Sequence, residues 1–303
     1  MEETYDVMIL GSGPAGLTAA LYSARYARKC CVITESLGGM ACKAGSVENW
    51  PGEKNISGLD LINKFKEHVD SYDIDFIEKP AKNVTRDGDL FSVDLGDGKI
   101  IGKSVILALG TKPRELKIKG ETELVGRGVS HCATCDGMFF RDKDVVVIGG
   151  NDSAAKAALY LGDVARSVKI LYRGDNLRCE GIYSTRIDEK ENIDVVYNAV
   201  PLEILGEAKV DAIKLKIGEK EENLKCDGVF IEIGADPSSE IAKSLSIETD
   251  DRGHIITGKD TKTNIEGLYA AGDMTNTPLR QIVTAAAEGA IAANQAHEFL
   301  QKK

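Results

Sequence analysis

Gly11-Ser-Gly13-Pro-Ala-Gly16 stands between an apolar run, Tyr5 to Leu10, and a helical stretch, Leu17 to Ala27. Three glycines at this spacing, between a strand and a helix, mark a dinucleotide-binding βαβ unit. Gly11 allows the tight turn, Gly13 lets a pyrophosphate approach the backbone, and Gly16 lets helix and strand pack closely. The free N–H groups of the first helical turn then face the phosphates. A second strand, Cys30 to Thr34, ends at Glu35, a hydrogen-bond acceptor placed for an adenosine ribose. An ordinary glycine-rich turn is the competing reading.

The same grammar returns later in weaker form. Asp144 to Ile148 is an apolar strand leading into Gly149-Gly150-Asn151-Asp152-Ser153-Ala154. A helix over about Ala154 to Asp163 follows, then a strand from Val168 to Tyr172. Asn151 takes the place of the second fingerprint glycine. Asparagine tolerates left-handed backbone, but its side chain occupies space that a pyrophosphate needs. A βαβ unit that binds no nucleotide competes with a working second site.

With 303 residues the chain exceeds what one core usually absorbs. Two nucleotide-type starts therefore predict an α/β protein with two Rossmann-like three-layer domains, the second inserted in the first. Further strands are expected at Lys103 to Gly110, Asp227 to Gly234 and Gly267 to Asp273, and a closing helix from about Pro278 to Leu300. The first domain takes 1–112 and 245–303, and the second 113–244. Short crossings are expected at about Lys112–Leu116 and Glu240–Leu245.

The 31 glycines suit such turns, and 43% hydrophobic with 28% charged residues is ordinary for a soluble protein. A net charge of −10 disfavours nucleic acid and anionic membranes as partners. No apolar stretch approaches the ~20 residues of a membrane span. The acidic start does not read as a signal peptide. Seven cysteines, odd in number and irregularly spaced, argue against a structural disulfide framework and for a reducing, cytoplasmic setting.

One close pair stands out, Cys132-Ala-Thr-Cys135, followed by Asp136. Two thiols three positions apart, beside a helix start, can close a small disulfide ring and form a reactive thiolate. Asp136 is placed to move protons for them. A zinc site would need two further ligands at a familiar spacing, which is absent, so no metal is expected. Inert core thiols, and a redox sensor without turnover, compete with a catalytic pair. Cys30, Cys31, Cys179 and Cys226 read as core or surface residues, and Cys42 receives no role.

Over nearly its whole length the chain resembles the low-molecular-weight thioredoxin reductases. The matching segments are GSGPAG at 11–16, GGM at 38–40, VENWPG at 47–52, ALGTKPR at 108–114, GRGVSHCATCDG at 126–137, GLYAAGD at 267–273 and RQIVTAAAEGAIAA at 280–293. The resemblance implies FAD held by Gly11, Gly13, Pro14, Ala15, Gly16, Glu35, Gly39, Met40, Asn49, Gly110, Gly272, Asp273, Arg280 and Gln281. It implies that Cys135 faces the flavin, that Cys132 attacks the partner disulfide, and that Asp136 is the acid/base. It also implies a homodimer, domain rotation about the hinge, and thioredoxin or a glutaredoxin-like protein as partner.

The electron donor is where the chain departs from the pattern. The family's NADPH unit reads GxGxxA followed by two glutamates; here Asn151 and Lys156-Ala157 stand in their place. The family's HRRxxxR cradle reads Tyr172-Arg173-Gly174 with Arg178 downstream. Two arginines can still grip a 2′-phosphate, so NADPH is the expected donor, with Gly149, Asn151, Ser153, Arg173 and Arg178 as its site. Similar proteins with degraded second sites imply the alternative, ferredoxin or a reduced deazaflavin.

Overall fold

A computed structural model of the chain describes residues 4–44 and 47–303. The chain divides into two compact units. One holds the chain up to Lys112 together with Asp236–Lys303, and the other holds Pro113–Ala235.

The first unit begins with β1 (Thr4–Leu10), α1 (Pro14–Arg25) and β2 (Cys30–Thr34). Next come α2 (Gly58–Asp70), β3 (Asp75–Glu78), the antiparallel run β4 (Asn83–Asp87), β5 (Leu90–Asp94) and β6 (Lys99–Leu107), and the short β7 (Thr111–Pro113). β1 lies between β2 and β6 and is parallel to both, so both its faces are covered. Side chains alternate across a strand. Val7 and Ile9 therefore join α1 residues such as Leu17 in one core. Met8 and Leu10 join Phe91, Val105 and Leu107 in the other.

The second unit starts with β8 (Val129–Ser130) and the one-turn helix α3 (Ala133–Asp136). Then follow β9 (Asp144–Ile148), α4 (Asp152–Gly162), β10 (Ser167–Tyr172), α5 (Gly181–Asp188) and β11 (Ile193–Tyr197). β12 (Ala199–Leu205), β13 (Ala212–Ile217) and β14 (Lys220–Lys225) form an antiparallel sheet, and β15 (Gly228–Ile231) returns to the parallel one. The parallel order is β11-β10-β9-β15-β8. Val145 and Val147 face α4 through Ala154, Ala158 and Leu161. Val146 and Ile148 face the antiparallel sheet through Ile204, Ile213 and Leu215. Three layers result: helix, parallel sheet, antiparallel sheet.

The chain then re-enters the first unit through β16 (Ala235–Pro237), which pairs with β7, and ends with β17 (Leu268–Ala270) and α6 (Ile282–Gln301). β17 adds to β6, giving a seven-stranded sheet among the described residues. Two expectations need correction here. The return crossing falls at Ala235–Asp236, before the expected Glu240–Leu245. Residues 239–245 instead form a 3₁₀ helix in the first unit, where Ile241 and Leu245 join the Met8 core and the Ser244 hydroxyl donates to the Val84 carbonyl at 2.7 Å. The closing helix starts at Ile282, not Pro278. Gln281 is its extended N-cap, locked by a capping box with Thr284. α6 crosses α1 at a very short distance, for a Cβ on Gly289 would sit 2.1 Å from the Ala15 carbonyl oxygen. Only glycine permits that crossing, and it brings the α6 start to the GxGxxG turn.

Among the described residues no helix is long and apolar enough to cross a membrane.

Candidate functional site

In the first unit the predicted residues gather at the carboxyl edge of the parallel strands, where open α/β sheets take their ligands. Gly11 has φ +104°, and a Cβ there would lie 2.3 Å from the Ala108 carbonyl. A Cβ on Gly16 would lie 1.9 Å from the Gly11 carbonyl. Both glycines are thus required by the protein itself. Gly13 is different: a Cβ there meets only the Gly38 carbonyl, at 3.9 Å. The room beside Gly13 is left open by the chain, at the extended N-cap of α1 with Pro14 beginning the helix. A pyrophosphate fits this cradle, and a side chain would fill it.

The surrounding loops are tied to this turn. Gly38 N–H donates to the Ser12 carbonyl at 3.0 Å, bringing the 3₁₀ helix Gly39–Lys43, with Met40, to the turn. The buried Ser12 and Thr34 hydroxyls lie 2.8 Å apart, and both reach the Ser36 carbonyl. They fix the bend that leaves Glu35 exposed just after β2. Gly110 turns at φ +62° beyond β6. Gly272, at φ +80°, leaves only 3.2 Å between its Cβ position and Ala15 Cβ. Asn49 Nδ2 donates to Gln281 Oε1 at 3.0 Å, uniting two predicted residues 232 positions apart.

The Asp273 carboxyl is electrostatically perturbed in this cleft. Burial pushes its carboxyl above the ordinary range, and Arg280 pulls it back. Arg280 itself reaches the Asp273 and Thr275 carbonyls, both at 3.4 Å. Among the described residues nothing donates a hydrogen bond to the Asp273 carboxylate, which leaves it to accept hydroxyl or imide donors from a ligand. Glu288 was not singled out in the sequence. Its Oε2 accepts from Gly272 N–H at 2.7 Å and holds the turn that presents Asp273. The open Gly13 cradle and the waiting Asp273 carboxylate fit a flavin dinucleotide.

In the second unit Cys132 and Cys135 are joined in a disulfide, with Cα atoms 5.3 Å apart. Cys132 is the N-cap of α3, and its Sγ accepts from Cys135 N–H at 3.3 Å. Cys135 is exposed and Cys132 half-buried. Asp136 closes the helix, and its Oδ2 accepts from the Ser130 hydroxyl at 2.6 Å. Met138 and Phe139, just beyond, are exposed apolar side chains, Phe139 to 74%. The free thiols are chemically quieter. Burial pushes Cys30 and Cys226 up to about 12, and raises Cys31, Cys42 and Cys179 as well.

The second glycine-rich turn has a different character from the first. Gly149 has φ +147°, and a Cβ there would lie 2.2 Å from the Glu232 carbonyl. Asn151 is the N-cap of α4, and its Oδ1 accepts from Ala154 N–H at 3.1 Å. The side chain at the second fingerprint position thus caps the helix and fills the space that a glycine would leave open. The Tyr172 ring lies over Gly150, only 2.4 Å from its Cβ position. Arg178 N–H donates to the Gly150 carbonyl at 2.6 Å, and Glu180 N–H to Asp152 Oδ1 at 2.8 Å. Arg173, Arg178 and Ser153 are exposed, and Lys156 lies over the Tyr183 ring at 5.1 Å.

Glu232 follows β15 beside this turn, and burial pushes its carboxyl up to about 7. The folded state therefore binds the proton more tightly than the unfolded chain, whose glutamate titrates near 4.5. Stability from this group is full below about pH 4.5 and is lost as pH rises through about 7. Glu232→Gln is expected to stabilise the protein at about pH 8 by about 2 kcal/mol, discounted for partial solvent access, and to change little at about pH 5. Thermal melts of both proteins at the two pH values test this; an equal shift at both would refute it.

The pyridine nucleotide-disulphide oxidoreductase profile matches residues 5–289. A thioredoxin reductase of Listeria innocua is 38% identical over 99% of this chain and 95% of its own. The crystal structure of Lactococcus lactis thioredoxin reductase superposes with a TM-score of 0.96, at 38% identity, covering 99% of this chain and 100% of that one. A ferredoxin-flavin thioredoxin reductase from Clostridium acetobutylicum is 34% identical with a TM-score of 0.55, each chain being covered completely.

Proposed function

The chain belongs to the pyridine nucleotide-disulphide oxidoreductase family and, within it, to the thioredoxin reductases, and from that premise we propose that it carries FAD in its first unit and reduces thioredoxin, or a glutaredoxin-like protein, through Cys132 and Cys135. The observation that carries this reading is the joined Cys132–Cys135 pair with Asp136 at its side. FAD, when bound, supplies a two-electron store. The residues of the Gly11–Gly16 turn bind its phosphates, Glu35 its ribose, and Asn49, Asp273 and Gln281 its remaining polar groups, with Gly39, Met40, Gly110, Gly272 and Arg280 shaping the pocket.

Two electrons and two protons convert the Cys132–Cys135 disulfide to a dithiol. The Cys132 thiolate attacks one sulfur of the partner disulfide, forming a mixed disulfide and releasing the partner's other sulfur as a thiolate. Cys135, deprotonated in turn, attacks Cys132 Sγ, releases the reduced partner and restores the ring. Asp136 holds or delivers the proton at each exchange. The exposed Met138 and Phe139 offer an apolar surface for a protein partner beside the pair. A homodimer and a reducing cytoplasm complete the reading. Protein purified with FAD is expected to be yellow and, after reduction with dithionite, to reduce a bacterial thioredoxin. Protein that takes up no FAD, or reduces no thioredoxin, would overturn it.

The family's usual reductant is NADPH. The Asn151 side chain on α4 favours a different source here, because it stands, folded onto the Ala154 amide, where the second fingerprint glycine would leave room for a pyrophosphate. A one-electron protein such as ferredoxin, or a reduced deazaflavin, needs no room for a pyrophosphate at this turn.

A further inference from the structure

We propose that Ser130 is a positioning residue for Asp136, selecting which carboxylate oxygen carries the proton during disulfide exchange. The inference rests on the acid/base reading of Asp136 given above. Ser130 ends β8 and is only 5% exposed. Its hydroxyl has one proton and two candidate acceptors, Asp136 Oδ2 at 2.6 Å and the Cys132 carbonyl at 3.3 Å. The shorter, charge-assisted bond wins. The hydroxyl oxygen meanwhile accepts from Cys132 N–H at 3.0 Å. One side chain thus holds the backbone of the first thiol and the carboxylate beside the second.

The consequence is geometric. With Oδ2 engaged by a donor, Oδ1 has no described hydrogen bond and is the oxygen free to take and give a proton. β8 is anchored by parallel pairing with β15, Phe230 opposite Ser130, so the hydroxyl is fixed by the sheet rather than by the loop it serves. Without it, Asp136 would rotate freely, and small misplacements of an acid/base group slow transfer steeply.

The test measures single-turnover reduction of a bacterial thioredoxin by the dithionite-reduced, FAD-loaded full chain at one fixed pH. Asp136→Asn is expected to slow exchange about a hundredfold. Ser130→Ala is expected to slow it about tenfold, and Ser130→Thr, which keeps the hydroxyl, to restore it to within about threefold of wild type. In the Asp136→Asn background Ser130→Ala should add less than about twofold, since its effect passes through the carboxylate. Additive losses, a Thr variant as slow as Ala, or an Ala variant at the wild-type rate with Asp136→Asn slow, would each overturn the proposal alone. A wild-type rate for Asp136→Asn would instead remove the acid/base reading, and the proposal with it.

Discussion

Cys135→Ser protein, once reduced, is expected to stop turning over and to end as a covalent one-to-one adduct with thioredoxin through Cys132. The reasoning starts from the exchange chemistry. Cys132 opens the partner disulfide, and among the described residues Cys135 is the thiol placed to resolve the adduct, because it lies within one turn of the same short helix. Serine at 135 cannot attack sulfur under these conditions, so the adduct accumulates. Steady-state reduction should fall to below about one thousandth of wild type. Cys132→Ser should fall as far but trap nothing, since the attacking sulfur is gone. The five free cysteines offer no substitute, for each has its thiol raised above the ordinary range and Cys30, Cys31 and Cys226 are buried. Intact-mass measurement under non-reducing conditions reads the result. An adduct from Cys132→Ser but not from Cys135→Ser would reverse the assigned roles of the two thiols. An adduct from neither would remove the exchange mechanism.

What the sequence discloses follows from where each constraint lives. The β1–α1 turn was legible because its constraints are local: Gly11 needs positive φ, and Gly16 must admit the Gly11 carbonyl. The paired cysteines were legible for the same reason. Other features are set by tertiary contacts that no local pattern records. The strands β4, β5 and β12 to β14 alternate in ordinary fashion but gain their partners only in the folded sheets. The re-entry at Ala235–Asp236 depends on Ile241 and Leu245 choosing the first core. Glu288 and Ser130 lie inside matched segments, but nothing in the local pattern gives either of them a role. Each matters because it meets a turn that the chain reaches from elsewhere: Gly272, sixteen residues before Glu288, and Asp136, six after Ser130. Asn151 is visible in the sequence as a departure, but that its side chain folds back to cap Ala154 is set by the folded turn.

That filled turn carries the second large expectation: NADPH added anaerobically to the FAD-loaded protein should not bleach the flavin, whereas dithionite should bleach it completely. A working dinucleotide turn needs free N–H groups and close access to the backbone. The first unit offers this at Gly13, where the chain leaves the space open. The second does not. Asn151 takes the Ala154 amide, Tyr172 covers Gly150, and the Glu232 carboxyl, titrating near 7, adds negative charge at the same sheet edge as pH rises. Against these stand two exposed arginines, Arg173 and Arg178, which can attract a phosphate but make no turn for a pyrophosphate. Asn151→Gly combined with Gly174→Arg restores a glycine turn and a third cation. That variant should bind NADPH about tenfold or more tightly than wild type, by the quenching of intrinsic fluorescence or by calorimetry. Reduced ferredoxin or a photoreduced deazaflavin should bleach the wild-type flavin without any such change. Prompt bleaching of wild-type flavin by NADPH would overturn the argument. Arg173 and Arg178 would then be the groups to replace, and loss of bleaching in the double alanine variant would place the dinucleotide on them despite the capped helix.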